Sequence, residues 1–154
     1  MLRSSLLSVH LLCVIVWLGC GLYELFLSRD IRGETGTAAE FHRFETWFRY
    51  QEVIPVATVL VAVSGVLMSS TLDWGYFSNL WLGLKQGVMF AILAGMALVG
   101  PRMIRLKRAF LDLSPHEPVP AEIREVFFRA EPWFLAMRVG GLASVLLAVW
   151  RPST

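Results

Sequence analysis

From Ser4 to Tyr23 the chain carries no Asp, Glu, Lys or Arg, and its apolar run continues to Leu27. At 1.5 Å per residue a helix of this length is about 36 Å long, enough to cross a hydrocarbon core of roughly 30 Å. Three further apolar runs follow, at 52–70, 80–104 and 132–150. A bilayer admits only segments that satisfy their own backbone hydrogen bonds. The expectation is therefore an all-α, polytopic membrane protein: four transmembrane helices in a bundle, forming a single transmembrane domain over 1–154. Composition agrees, with 56% hydrophobic and 17% charged residues, against about 25% charged in soluble domains. A water-soluble core is excluded because the runs lack the polar face of a surface helix.

The N-terminus has some features of a cleaved signal: Arg3, an apolar run, and Leu18-Gly19-Cys20 as a faint lipoprotein box. The run persists well past Cys20, so a retained helix is expected. Cys13 and Cys20 are seven residues apart on it, roughly 10 Å, too far for an intrahelical disulfide.

Between the apolar runs lie two segments with helical spacing. Phe41, Phe44, Trp47 and Phe48 share one side of 38–51, and Ile123, Val126, Phe127 and Ala130 share one side of 121–130. Both read as short amphipathic helices lying in the membrane interface. Pro55 and Pro132 fall at the starts of the second and fourth spans, where a missing N–H costs little. The linker 113–120 is too rich in proline to be helical.

Charge placement sets an orientation. Arg29, Arg32, Arg43 and Arg49 follow the first run; Arg102, Arg105, Lys107, Arg108, Arg124 and Arg129 follow the third; the turn after the second has neither Lys nor Arg. The positive-inside rule puts both long segments in the cytoplasm and both termini outside. Trp74, Trp81 and Trp150 would then belt the outer interface, and Trp47 and Trp133 the inner one. Trp17 falls mid-membrane, in a protein interior. The basic residues edge apolar segments rather than building a basic domain, so membrane lipid and not nucleic acid is the expected surroundings.

His10, Val14, Trp17, Gly21 and Glu24 lie on one stripe of the first helix. A histidine inside a membrane span is a candidate functional residue. His10 has three readings: a hydrogen bond to a neighbouring helix, a metal ligand (haem iron foremost), or proton transfer. Lys85, near the start of the third span, reaches a similar depth of about 6–9 Å from the outer interface. It either snorkels to that interface or presents a cation to an anionic substrate or cofactor. A second polar layer holds Glu24, Glu52, Glu131 and Arg138 near the inner face. There Arg138 pairs with Glu24 or Glu52, snorkels, or anchors an anionic ligand such as a porphyrin propionate. Met68, Met89 and Met96 read as core filler. Phosphate-binding glycine loops, CxxC, HExxH and nucleophile elbows are absent.

The motifs Val9-His10-Leu11-Leu12 with Trp17-Leu18-Gly19, Phe44-Glu45-Thr46-Trp47 through Pro55, Trp81-Leu82-Gly83-Leu84-Lys85, and Phe127-Phe128-Arg129-Ala130-Glu131-Pro132 together resemble the HemJ-type protoporphyrinogen oxidases and related CopD-like membrane proteins. The resemblance implies a helical bundle that binds haem b and oxidises protoporphyrinogen IX to protoporphyrin IX. His10 would be the metal ligand and Lys85 the catalytic and substrate-attracting residue; the depth reading adds Trp17 and Arg138 as further residues of the cofactor site. The family's third helix has a second histidine eleven residues after the lysine, where this chain has Met96. Two other readings stand beside it. One is a non-catalytic subunit of a larger membrane complex or homo-oligomer; the other is a copper-handling protein using His10 and Cys13.

Overall fold

The structure, a computed structural model, describes residues 2–71, 80–115 and 118–149. The turn 72–79 with Trp74, and also His116 and Trp150, lie outside the described residues. The described residues form four long helices, α1 (Leu2–Gly33), α2 (Ala38–Thr71), α3 (Leu80–Leu111) and α4 (Ala121–Val149). All four are long and apolar enough to span a membrane.

Packing supports the same conclusion. Only 17% of the most apolar window of α1 is buried, and 28% of that of α2. Leu12, Ile15, Phe90, Leu98 and Leu146 all face outward. A bundle whose apolar side chains cover its outside has hydrocarbon as its solvent.

The helices outrun that solvent. At 32, 34, 32 and 29 residues they are about 44–51 Å long. The segments expected to lie separately in the interface are instead the first turns of α2 and α4. Pro55 and Pro132 accordingly sit inside continuous helices, which neighbouring helices tolerate in membrane proteins. The surplus length gathers at the end carrying the α1–α2 and α3–α4 connections, here the connection end. The other is the terminal end.

The aromatic stripes meet one another there. Phe44, Trp47 and Phe127 are each wholly buried. Trp47 and Phe127 pack edge-on with centroids 4.9 Å apart, and Phe41 stacks on Phe110 at 4.7 Å. Trp47 is thus a core residue and not part of an interfacial belt; Trp133 remains exposed. Each buried Phe contributes about 1.5–3 kcal/mol.

The α1–α2 turn is fixed by local chemistry. Gly36 has φ 81°, a conformation that favours glycine. Its N–H donates to the Glu40 carboxylate at 2.8 Å, in the first turn of α2, a variant of the capping box. Arg43 donates back to Glu34 at 3.1 Å.

Helices α1 and α2 form one close antiparallel hairpin and α3 and α4 another, while the hairpins touch each other only lightly. Tyr23 packs on Tyr50 in the first seam. In the second, Met137 lies against Gly95, and Val88 and Ile92 against Gly140. That loose joint between hairpins positions the site.

Candidate functional site

Between the hairpins runs a slot of about 530 Å³. Its walls are mostly apolar, among them Trp17, Ile54, Ile92, Met96, Phe134 and Met137. Leu22, Leu135, Val139 and Leu142 line it on the α1–α4 side, and Ile104 on the α2–α3 side, and all five are exposed. The slot therefore opens sideways, towards the hydrocarbon. Volumes of about 300–1,000 Å³ with few polar groups are typical of small-molecule sites.

Three contacts shape it. The Trp17 indole rests on Gly141, where any Cβ would overlap the ring. The Arg138 stem crosses α1 at Gly21, its Cγ 3.5 Å from where a Cβ would stand. At the α2–α3 mouth Lys107 pairs with Glu52.

The polar centre is Glu24, 1% exposed. Its Oε1 accepts the Trp47 indole N–H at 2.9 Å and the Gln51 amide at 2.5 Å. Its Oε2 pairs with Arg138 Nη2. The carboxylate is fully engaged, but Arg138 Nη1 is buried with no partner. A buried, unpartnered N–H costs about 1–3 kcal/mol. One donor at this centre is thus left without an acceptor from the side chains around it. Glu131, expected in the same layer, pairs with Arg32 instead.

The terminal-end layer is separate. His10, 7% exposed, turns into the α1–α2 seam. Its Nδ1 is 2.8 Å from Ser64 Oγ, and its Cε1 lies 3.5 Å from the Cβ position of Gly65. Ser64 in turn donates to the Leu60 carbonyl at 2.6 Å, which leaves its oxygen to accept from the histidine. Lys85 lies within electrostatic reach of His10. Neither His10 nor Lys85 lines the slot, whereas Trp17, Met96 and Arg138 do. The four residues expected at the site are thus divided between two places, His10 and Lys85 in one and Trp17 and Arg138 in the other, about 10 Å apart along α1 from His10 to Trp17.

This division bears on haem. The slot wall holds Met96, Met103 and Met137 but neither histidine nor cysteine. Among the described residues, no three of His, Cys, Asp and Glu converge as a metal site. A His10-ligated haem seated in the slot does not fit these residues.

Compared with known protein families, curated proteins and solved structures, the chain gives no match. The likeness to HemJ-type proteins rests on the short motifs alone.

Trp47, Gln51 and Gly141 are the site residues that the sequence reading missed. A usable signal existed for two of them: Gln51 follows Trp47 by one helical turn, so both share a face. Gly141 carries no such mark, because a glycine seat for an indole has no signature of its own.

Proposed function

We propose that this chain binds a porphyrin-class molecule, broad, largely apolar and bearing acidic oxygens at one edge, in the slot between its hairpins. The observation that carries the reading is a laterally open apolar slot with Arg138 in its wall, a residue whose Nη1 has a hydrogen bond to give and no partner. A carboxyl oxygen of the ligand would accept that hydrogen bond, while Glu24 holds the guanidinium in place. Trp17 and the three wall methionines offer flat and deformable surfaces to a ring. A ligand dissolved in the bilayer would enter between α1 and α4. Binding, rather than oxidation, is what these walls account for.

The reading includes an orientation. The basic residues crowd the connection end, so this end faces the cytoplasm of a bacterial inner membrane and the termini face outward.

The test is titration of the purified full chain in detergent with protoporphyrin IX, followed by quenching of tryptophan fluorescence. Saturable binding is expected, weakened at least tenfold for the dimethyl ester and for Met96→Trp, which narrows the slot. Equal partitioning of acid and ester into wild type and Met96→Trp would sink the reading. Preference for a neutral quinone over the porphyrin would reassign the ligand class.

A further inference from the structure

A second concavity, of about 410 Å³, lies between α3 and α4 near the connection end. It shares Val99 and Met103 with the slot, and its other walls are Arg102, Val126, Arg129, Ala130 and Trp133. Of these, Arg102, Val126, Arg129 and Trp133 are exposed, so the groove faces the surroundings of the bundle.

Its chemistry changes with depth. Gly95 lies beside Met137 across the seam. Carrying this antiparallel register seven residues further brings Arg102 level with Ala130, next to Arg129. Arg102 stands about 33 Å along α3 from Leu80, and Arg129 about 30 Å along α4 from Val149. Both distances match one hydrocarbon thickness, so the two guanidinia sit at the interface. One turn deeper the walls become Val99 and Trp133. Tryptophan favours this level, with its ring in the hydrocarbon boundary and its N–H towards the headgroups.

The charge is only partly compensated: among the described residues Arg129 has one surface carboxylate and Arg102 none. No Asp or Glu lines the groove. Glu125 pairs with Arg129 at 2.6 Å, from one turn farther out. Other nearby carboxylates are committed: Glu131 to Arg32 and Glu40 to Arg124. Arg102 has no hydrogen-bond or ion-pair partner among the described residues. Two cations over an apolar floor complement one kind of molecule, an anion with a hydrocarbon tail.

We infer that this groove is a binding site for an anionic phospholipid, whose phosphate lies between Arg102 and Arg129 and whose acyl chain runs down past Trp133. Basic pockets between membrane helices recognise lipid headgroups by this combination of charge and depth. The site is independent of the porphyrin reading, since its headgroup-binding residues do not line the slot.

The experiment reconstitutes the full chain in phosphatidylcholine nanodiscs containing a minor fraction of phosphatidylglycerol or phosphatidylcholine brominated on its acyl chains. The Trp133 signal is the difference between wild type and Trp133→Phe. Brominated phosphatidylglycerol should quench it at a mole fraction at least fivefold lower than brominated phosphatidylcholine, since each arginine is worth about fivefold. The preference should vanish in Arg102→Gln/Arg129→Gln. If that pair does not fold, Arg102→Gln alone, which disturbs no internal bond, should still lower it about fivefold. Equal quenching in wild type overturns the proposal, as does a preference that survives the substitutions. Loss of the preference on adding inorganic phosphate at constant ionic strength would also overturn it, since the groove would then be reading free phosphate.

Discussion

The Trp17 indole occupies the space that any side chain at position 141 would need. One helix of each hairpin thus meets the other through a ring on a bare backbone, beside the slot that this ring helps to wall. Gly141→Ala must push the indole aside, at a cost of about 1–3 kcal/mol. Since Trp17 is 7% exposed and closely surrounded, the ring's free direction is into the slot. We expect a lower midpoint of thermal unfolding in detergent together with weaker porphyrin binding. Unchanged binding with lowered stability would show that the ring moves elsewhere.

Phe127 is wholly buried where the stripes of α2 and α4 meet. It packs on Phe44 at 5.1 Å and on Trp47 at 4.9 Å. Phe127→Ala leaves a cavity that three long helices cannot close, and should cost about 3–5 kcal/mol. An equivalent change on the lipid face, Leu146→Ala, should cost far less. Equilibrium unfolding of both variants in mixed micelles makes the comparison. Similar losses would mean that the connection-end core does not dominate stability.

The helix count was legible because apolar runs of this length have one use. The helix boundaries were not. Pro55 and Pro132 look like starting signals, but inside a bundle their missing N–H groups interrupt nothing that neighbouring helices cannot support. The stripe of Phe41, Phe44 and Phe48 was visible, yet an amphipathic face reads the same whether lipid or another helix covers it. Depth counting placed Glu24 and Arg138 in one layer, where they pair. It could not show that Trp47, about one and a half turns outside the expected span, reaches the same carboxylate.

Orientation can be read directly. With ten Lys and Arg residues in 28–51 and 102–131, towards the connection end, and none in 72–79, alkaline phosphatase fused after Thr154 should be active. The same reporter inserted at Gly36 should be inactive. The reverse pair of activities would place the connection end outside and invert the assignment of both polar layers.

His10 gives a test of the terminal-end layer. Ser64→Ala removes the acceptor at Nδ1. Hydrogen bonds between membrane helices average only about 0.6 kcal/mol, so stability should barely change. The imidazole tautomer should respond more strongly, because the bond to Ser64 fixes which nitrogen carries the proton. Nitrogen NMR of a histidine-labelled sample should show a protonated Nδ1 at His10 in wild type and a mixture in Ser64→Ala. An identical tautomer in both would mean that Ser64 does not set it.

The Glu24–Arg138 pair supplies the sharpest test of what the slot's polar centre is for. Glu24→Ala leaves a buried guanidinium with neither Oε2 nor the network behind it, and should cost about 3–5 kcal/mol. Arg138→Ala leaves the carboxylate with only Trp47 and Gln51, at a similar cost. The double variant Glu24→Gln/Arg138→Met removes both charges while keeping volume and the bond from Trp47, and should recover most of the loss. Stability would then be nearly restored while porphyrin binding stays weak, because Nη1 is gone. Unfolding and porphyrin titration on the same four proteins separate the two roles. Full recovery of binding in the double variant would reduce the pair to a helix-packing device and remove Arg138 from the site.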